Sequence, residues 1–190
     1  CFTDNEKGID NNIKIISLKN YKLSGWWHKL WFFSSEILNY IDKVPTLFLD
    51  LDVVIVDNID CLLKYKEDFV IIKEWQYSKV KQTGYNSSVF KYIPGEYIYI
   101  WNDFIKKPEH IIRRHSGDQQ YISEKINATT WPEEWCKSFK WHCGPRGSNK
   151  AIIPPNCKIV VFHGRPDPHE VINKTYKNYP TAEWIEKYWR

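Results

Sequence analysis

The stretch PTLFLDLDVVIVDNID, residues 45–60, sets Asp50 and Asp52 inside an apolar run and closes it with Asp57 and Asp60. An apolar run of this kind reads as strand structure buried on both faces. Carboxylates at the end of a buried strand are costly unless a cation compensates them. Leaving one strand at i and i+2, the two side chains share a face about 7 Å apart. Two oxygen ligands so placed suit a hard divalent cation, Mn2+ or Mg2+, held together with a substrate phosphate. The stretch therefore predicts phosphate-bearing chemistry at the end of a central strand over residues 46–50.

Upstream, residues 13–18 (IKIISL) read as a short strand. Residues 24–40 follow as a helix, with Ser24 as N-cap and Trp27, Leu30, Trp31, Ile37 and Leu38 turned inward. Downstream come a short helix at 61–66, buried strands at 69–73 and 87–92, and helices at 97–106, 108–115 and 118–126. Late strands at 137–141 and 158–163 and a closing helix at 182–189 complete the reading. Strands alternating with helices predict an α/β fold, a Rossmann-like mixed sheet with helices on both faces. The 190 residues read as one domain, 1–190.

Composition narrows the function classes. An apolar content of 43% excludes wholesale disorder, and no apolar run reaches the about 20 residues of a membrane span. The net charge of +4 comes from bases spread among acids, which favours a local anion site over a nucleic-acid groove. Ten Trp and twelve Tyr serve packing, or stack on sugars or a base. Five irregularly spaced cysteines predict reduced thiols rather than a disulfide framework, and Cys136, His142 and Cys143 fit no regular zinc spacing. No signal peptide is recognised, so the expected location is cytoplasmic. The chain begins at Cys1 and has no methionine, and so reads as the body of a protein whose beginning is absent.

In α/β sheets ligands collect at the carboxyl ends of strands, where this reading puts Asp50, Asp52 and His163. After His163, Gly164 allows close backbone approach and Arg165 can grip a phosphate in a bidentate way. Asp118 and Gln119 open a helix, either as a dipole-favoured start or facing a ligand. Lys29, in the aromatic run GWWHKLWFF, either snorkels or points at a ligand. Asn86 precedes a strand, as a turn residue or as part of the site.

Four motifs in order, LFLDLDVVIVDNID, NSSVFKY, GDQQYI and VVFHGRPDPHE, resemble the GT-A glycosyltransferases, closest to family-8-like enzymes and small bacterial and viral relatives. The likeness runs over roughly residues 1–170. It implies a nucleotide-sugar donor, its diphosphate bridged by a divalent cation, usually Mn2+, and a glycan, lipid or protein acceptor. It implies Asp50, Asp52 and His163 as metal ligands, Asn86 in the sugar site, and Asp118 and Gln119 at the reacting sugar. Lys29 would contact donor groups. The Lys-Pro-Trp of family 8 is replaced by Asp167–Pro168–His169, which leaves Arg165 as the diphosphate cation, and Ser88 stands where the family has glycine. Residues 1–4 (CFTD) look like the end of the family's second strand, so the first strand-helix unit is apparently lacking.

Two rival readings share the opening stretch. Asp50-Leu-Asp52-Val-Val54 also fits the nucleophile motif of haloacid-dehalogenase-like phosphatases, with Asp50 attacking phosphate and Asp52 as acid/base. The other rival is a non-catalytic carbohydrate- or nucleotide-binding relative.

Overall fold

The computed structural model describes residues 1–3, 5–18, 23–75, 84–144 and 148–189. Two short strands, β1 (Phe2–Thr3) and β2 (Ile16–Ser17), pair in parallel at the start. Asp4, the last residue of the strand end expected at residues 1–4, lies outside the described residues.

The aromatic run folds as a 3-10 helix, Gly25–Phe33, followed by a second, Ser35–Asn39. The sequence reading expected one longer helix, and aromatic crowding accounts for the difference. Bulky rings lose rotamer freedom in an α-helix, whereas three residues per turn stack every third side chain in one row. The row Trp27, Leu30 and Phe33 enters the core. The row Trp26, Lys29 and Phe32 lines a cavity. A 3.6-residue period could not separate these rows, and it turned Leu38 inward where the structure leaves it exposed.

The opening stretch gives β3 (Thr46–Leu49) and β4 (Val53–Ile55), not one strand. Asp50, Leu51 and Asp52 form the turn between them, and Leu51 is 78% exposed. Then follow α1 (Asp60–Leu63), β5 (Val70–Lys73), β6 (Tyr85–Tyr92), α2 (Ile98–Lys106), α3 (Pro108–Arg114) and α4 (Asp118–Lys125). The chain closes through β7 (Thr129–Thr130), β8 (Cys136–Ser138), α5 (Phe139–His142), β9 (Ile159–Val161), a 3-10 turn at Pro168–Glu170 and α6 (Ile185–Tyr188). The strand expected at 137–141 stops early because Phe139 turns inward to stack on Phe162, ring centroids 4.3 Å apart.

The fold is mixed α/β, but the expected single sheet with helices on both faces is corrected. Among the described residues there are three sheets: β1-β2, β3-β6-β5-β7 and β4-β9-β8. The turn at 50–52 causes the division, sending β3 to pair with β6 and β4 to pair with β9, both antiparallel. β3 is therefore an edge strand, not a central one.

Period-two alternation then builds three core layers. Ile71 and Phe90 face the 3-10 row together with Phe104 and Tyr121. Val70, Ile72 and Val89 face the other way, onto Val53, Ile159 and Val161 of the three-stranded sheet. Val54, Val160 and Phe162 look outward again, to Phe139, Ala182 and Ile185. So one face of the four-stranded sheet is covered by helices and the other by a second sheet. Each fully buried side chain contributes about 1.5–3 kcal/mol. No helix among the described residues is long and apolar enough to cross a membrane.

Candidate functional site

The two acids of the opening stretch finish the ladders of two different sheets. The Asp50 amide donates to the Ser88 carbonyl at 2.8 Å, beside β6, and the Phe162 amide donates to the Asp52 carbonyl at 2.8 Å, beside β9. The site therefore sits at the junction where the sheets part.

Lys29 reaches this junction from the 3-10 helix. Its ammonium donates to Asp50 Oδ2 at 2.9 Å and to the Ser87 carbonyl and hydroxyl at 3.1 Å, and it lies 3.3 Å from Asp118 Oδ2. The Ser87 hydroxyl donates to Asp118 Oδ2 at 2.8 Å. Burial works against the lysine's charge, but Asp50 and Asp118 outweigh it and raise its pKa. Burial likewise raises the Asp50 carboxyl, against the pull of Lys29. An ammonium shared by two buried carboxylates is the compensation such a cluster requires.

A second set of bonds extends the network. Asn86 Nδ2 donates to Gln119 Oε1 at 3.0 Å, Asn86 Oδ1 accepts the Ser88 amide at 3.1 Å, and Gln119 Nε2 donates to the Glu74 carboxylate. Five of the eight residues singled out in the sequence, Lys29, Asp50, Asn86, Asp118 and Gln119, thus lie in one cluster from four separate elements. Glu74 went unnoticed in the sequence. Its only signal was the one that marked Asp50, a carboxylate just past the end of a buried strand. Burial raises its pKa to about 7.

The other three residues stand apart from this cluster. Burial and then Asp50 raise the Asp52 carboxyl to about 6. His163 has its Nε2 2.7 Å from the Ser138 hydroxyl and stacks on Trp75 at 5.4 Å. Burial, Lys140 and His142 lower its pKa to about 4, so its ring is neutral. Arg165, largely exposed, is bound to Asp167 and to Glu170 at 2.9 Å.

A Mn2+ or Mg2+ ion would need Asp50, Asp52 and His163 around one point. Among the described residues, no three His, Cys, Asp or Glu side chains form a metal-holding group. Asp50 is held by Lys29, and His163 by Ser138. A basic side chain already stands on that side: Lys140 disfavours a charged His163, and burial lowers its own pKa against the pull of Asp52. Gly164 adopts φ of +64°, a backbone conformation that favours glycine, and a Cβ there would lie 3.4 Å from Lys140 Nζ, an ordinary contact. The three residues as arranged do not fit one ion, and the chemistry below uses the chain's own groups.

A cavity of about 720 Å3 opens beside the cluster, with Lys29, Asp50 and Asp52 among its lining and the rings of Trp26, Phe32 and Phe48 beside them. Lys29 Nζ sits 5.4 Å from the Phe48 centroid. Tyr92 also lines it and buries a hydroxyl that has no hydrogen-bond partner among the described residues. A mostly apolar cavity with a few convergent polar groups is the usual form of a small-molecule site.

No protein-family model matches the chain, and no curated protein is significantly similar to it.

Proposed function

We propose that the protein is a glycosyltransferase that moves a sugar from a nucleotide-diphosphate donor to a hydroxyl acceptor. The observation that carries this reading is the Lys29–Asp50–Asp118 ion triad, with the Asn86–Gln119 pair next to it along the chain, of which Lys29 and Asp50 line the aromatic cavity. An aromatic base lies along Trp26, Phe32 and Phe48. The sugar hydroxyls meet the amides of Asn86 and Gln119, which hold each other, and the carboxylate of Asp118, held by Lys29 and Ser87.

Bond cleavage puts the electron pair of the sugar–oxygen bond on the leaving diphosphate. Fixed cationic groups stabilise such developing charge in a dry site. Asp50 and Asp52 alone would repel a phosphate, so positive charge has to stand between. Lys29 is committed to its two carboxylates, and Lys140, on the Asp52 and His163 side, supplies that charge.

Thermal-shift titration with nucleoside diphosphates and nucleotide sugars, with and without Mn2+, tests the reading. Stabilisation by at least one nucleotide, weakened in Lys140→Ala, is expected. No stabilisation by any of them in either condition overturns it. Phosphate release from simple phosphomonoesters, abolished in Asp50→Asn, would instead select the phosphatase.

A further inference from the structure

A second cavity, about 370 Å3, has in its wall Glu74, the carboxylate bonded to Gln119. Its walls include Glu74, Trp75, Trp131, Glu133, Trp141 and His142. Three indoles meet here from β5's end, the segment after β7, and α5. Trp131 is buried and its Nε1 donates to the Leu62 carbonyl at 3.3 Å, which fixes its ring. Trp141 is 45% exposed and presents a ring at the rim. Trp75 stacks on His163 at 5.4 Å and meets His142 in a tilted contact at 6.1 Å. His142 Nδ1 lies 3.0 Å from the Ser138 amide nitrogen and 3.2 Å from the Ser138 carbonyl, and burial lowers the ring's pKa.

The polar groups are of two kinds. At one wall Glu133 is neutralised by Lys73. At the other, Glu74 bonds to the neutral amide of Gln119, and no ion pair neutralises it among the described residues. Its Gln119 partner in turn takes Asn86, so this wall is continuous with the sugar-facing amides of the proposed donor site. Indole faces offer flat apolar area with little entropy to lose, and a carboxylate accepts strong hydrogen bonds from hydroxyls. A pyranose ring has both features these walls ask for, an apolar C–H face and a belt of hydroxyl donors. A cationic ligand would compete with Lys73 at the Glu133 wall, and a phosphorylated one would meet the uncompensated Glu74 carboxylate.

We propose that this cavity is the acceptor subsite and takes a pyranose ring of a neutral glycan, with the ring packed on Trp141 and a hydroxyl donated to Glu74. The inference deepens the glycosyltransferase reading and rests on it for the word acceptor. The binding of the sugar itself does not.

The test is titration of the metal-free, donor-free protein with methyl glycosides of the common neutral hexoses and their disaccharides, followed by tryptophan fluorescence and calorimetry. Saturable binding of at least one is expected, weakened at least about tenfold in Trp141→Ala and in Glu74→Gln, and unchanged in Trp189→Phe, whose indole lies against His169 away from this cavity. No binding by any saccharide overturns the proposal, as does binding that survives both Trp141→Ala and Glu74→Gln. Circular dichroism of each variant separates lost binding from lost folding. Nucleotide binding without saccharide binding rejects this subsite alone. Saccharide binding without nucleotide binding keeps the sugar site and rejects the transferase reading.

Discussion

Lys29 and Asp50, 21 positions apart, meet at 2.9 Å at the junction of two sheets, with Asp118 completing the triad at 3.3 Å. A cation from a 3-10 helix thus holds the end of β3 against the start of α4, and structure and chemistry depend on one contact.

Replacing Lys29 by Met leaves the buried Asp118 carboxylate and the half-buried Asp50 carboxylate without their shared cation. The expected cost at pH 7 is about 3–5 kcal/mol, the usual penalty for removing one partner of a buried pair. The unpaired acids then bind protons more readily folded than unfolded, so the deficit shrinks as the pH falls toward the ordinary carboxylate range. Urea denaturation of both proteins at pH 7 and pH 5 measures this. A deficit below about 1 kcal/mol at pH 7 contradicts the triad.

Glu74 carries a pH signature of its own. Burial raises its pKa from 4.5 to about 7, so between those values the folded protein binds more protons than the unfolded chain. Its contribution to stability is full below pH 4.5 and is lost as the pH rises to about 7. In Glu74→Gln the melting temperature should fall less over that window than in the parent protein. Parallel curves for the two proteins would place the carboxyl in water.

Leu51→Ser tests whether the acid pair lies on a turn. An exposed leucine between strands of two sheets contributes little to folding, and a change within about 0.5 kcal/mol is expected from denaturation. A loss of about 2 kcal/mol or more would put Leu51 inside a continuous buried strand.

Phe33→Ala tests the three-residue row. Phe33 stacks on Phe90 at 5.5 Å and on Phe69 at 6.2 Å, so its truncation is expected to cost about 3–5 kcal/mol. The neighbouring Phe32, on the cavity row, should cost clearly less in the same assay.

Much of this architecture could be read from residue types. The apolar runs announced strands packed on both faces, because alternate residues of IVVF serve two cores. Lys29, Asn86, Asp118 and Gln119 stood out as polar groups in apolar or helix-opening settings, and the structure joins them with Asp50. The turn inside LFLDLDVVIV was hidden, because Leu51 keeps the run apolar while standing in solvent. The division into sheets was hidden with it, since pairing depends on contacts distant in sequence. Trp75, Trp131 and Trp141 carry no mutual spacing signal, and only the meeting of three elements reveals their cavity. Arg165 reads as a phosphate ligand by type, yet Asp167 and Glu170 beside it supply nearer partners.

The most direct measurement is release of nucleoside diphosphate from a panel of nucleotide sugars, with and without Mn2+, by the parent protein and by Asp118→Asn and Gln119→Ala variants verified as folded. Turnover of at least one donor is expected, falling at least about 100-fold in Asp118→Asn. No turnover and no nucleotide binding in either condition, or turnover undiminished in both variants, would contradict a donor site built on the Lys29–Asp50–Asp118 triad.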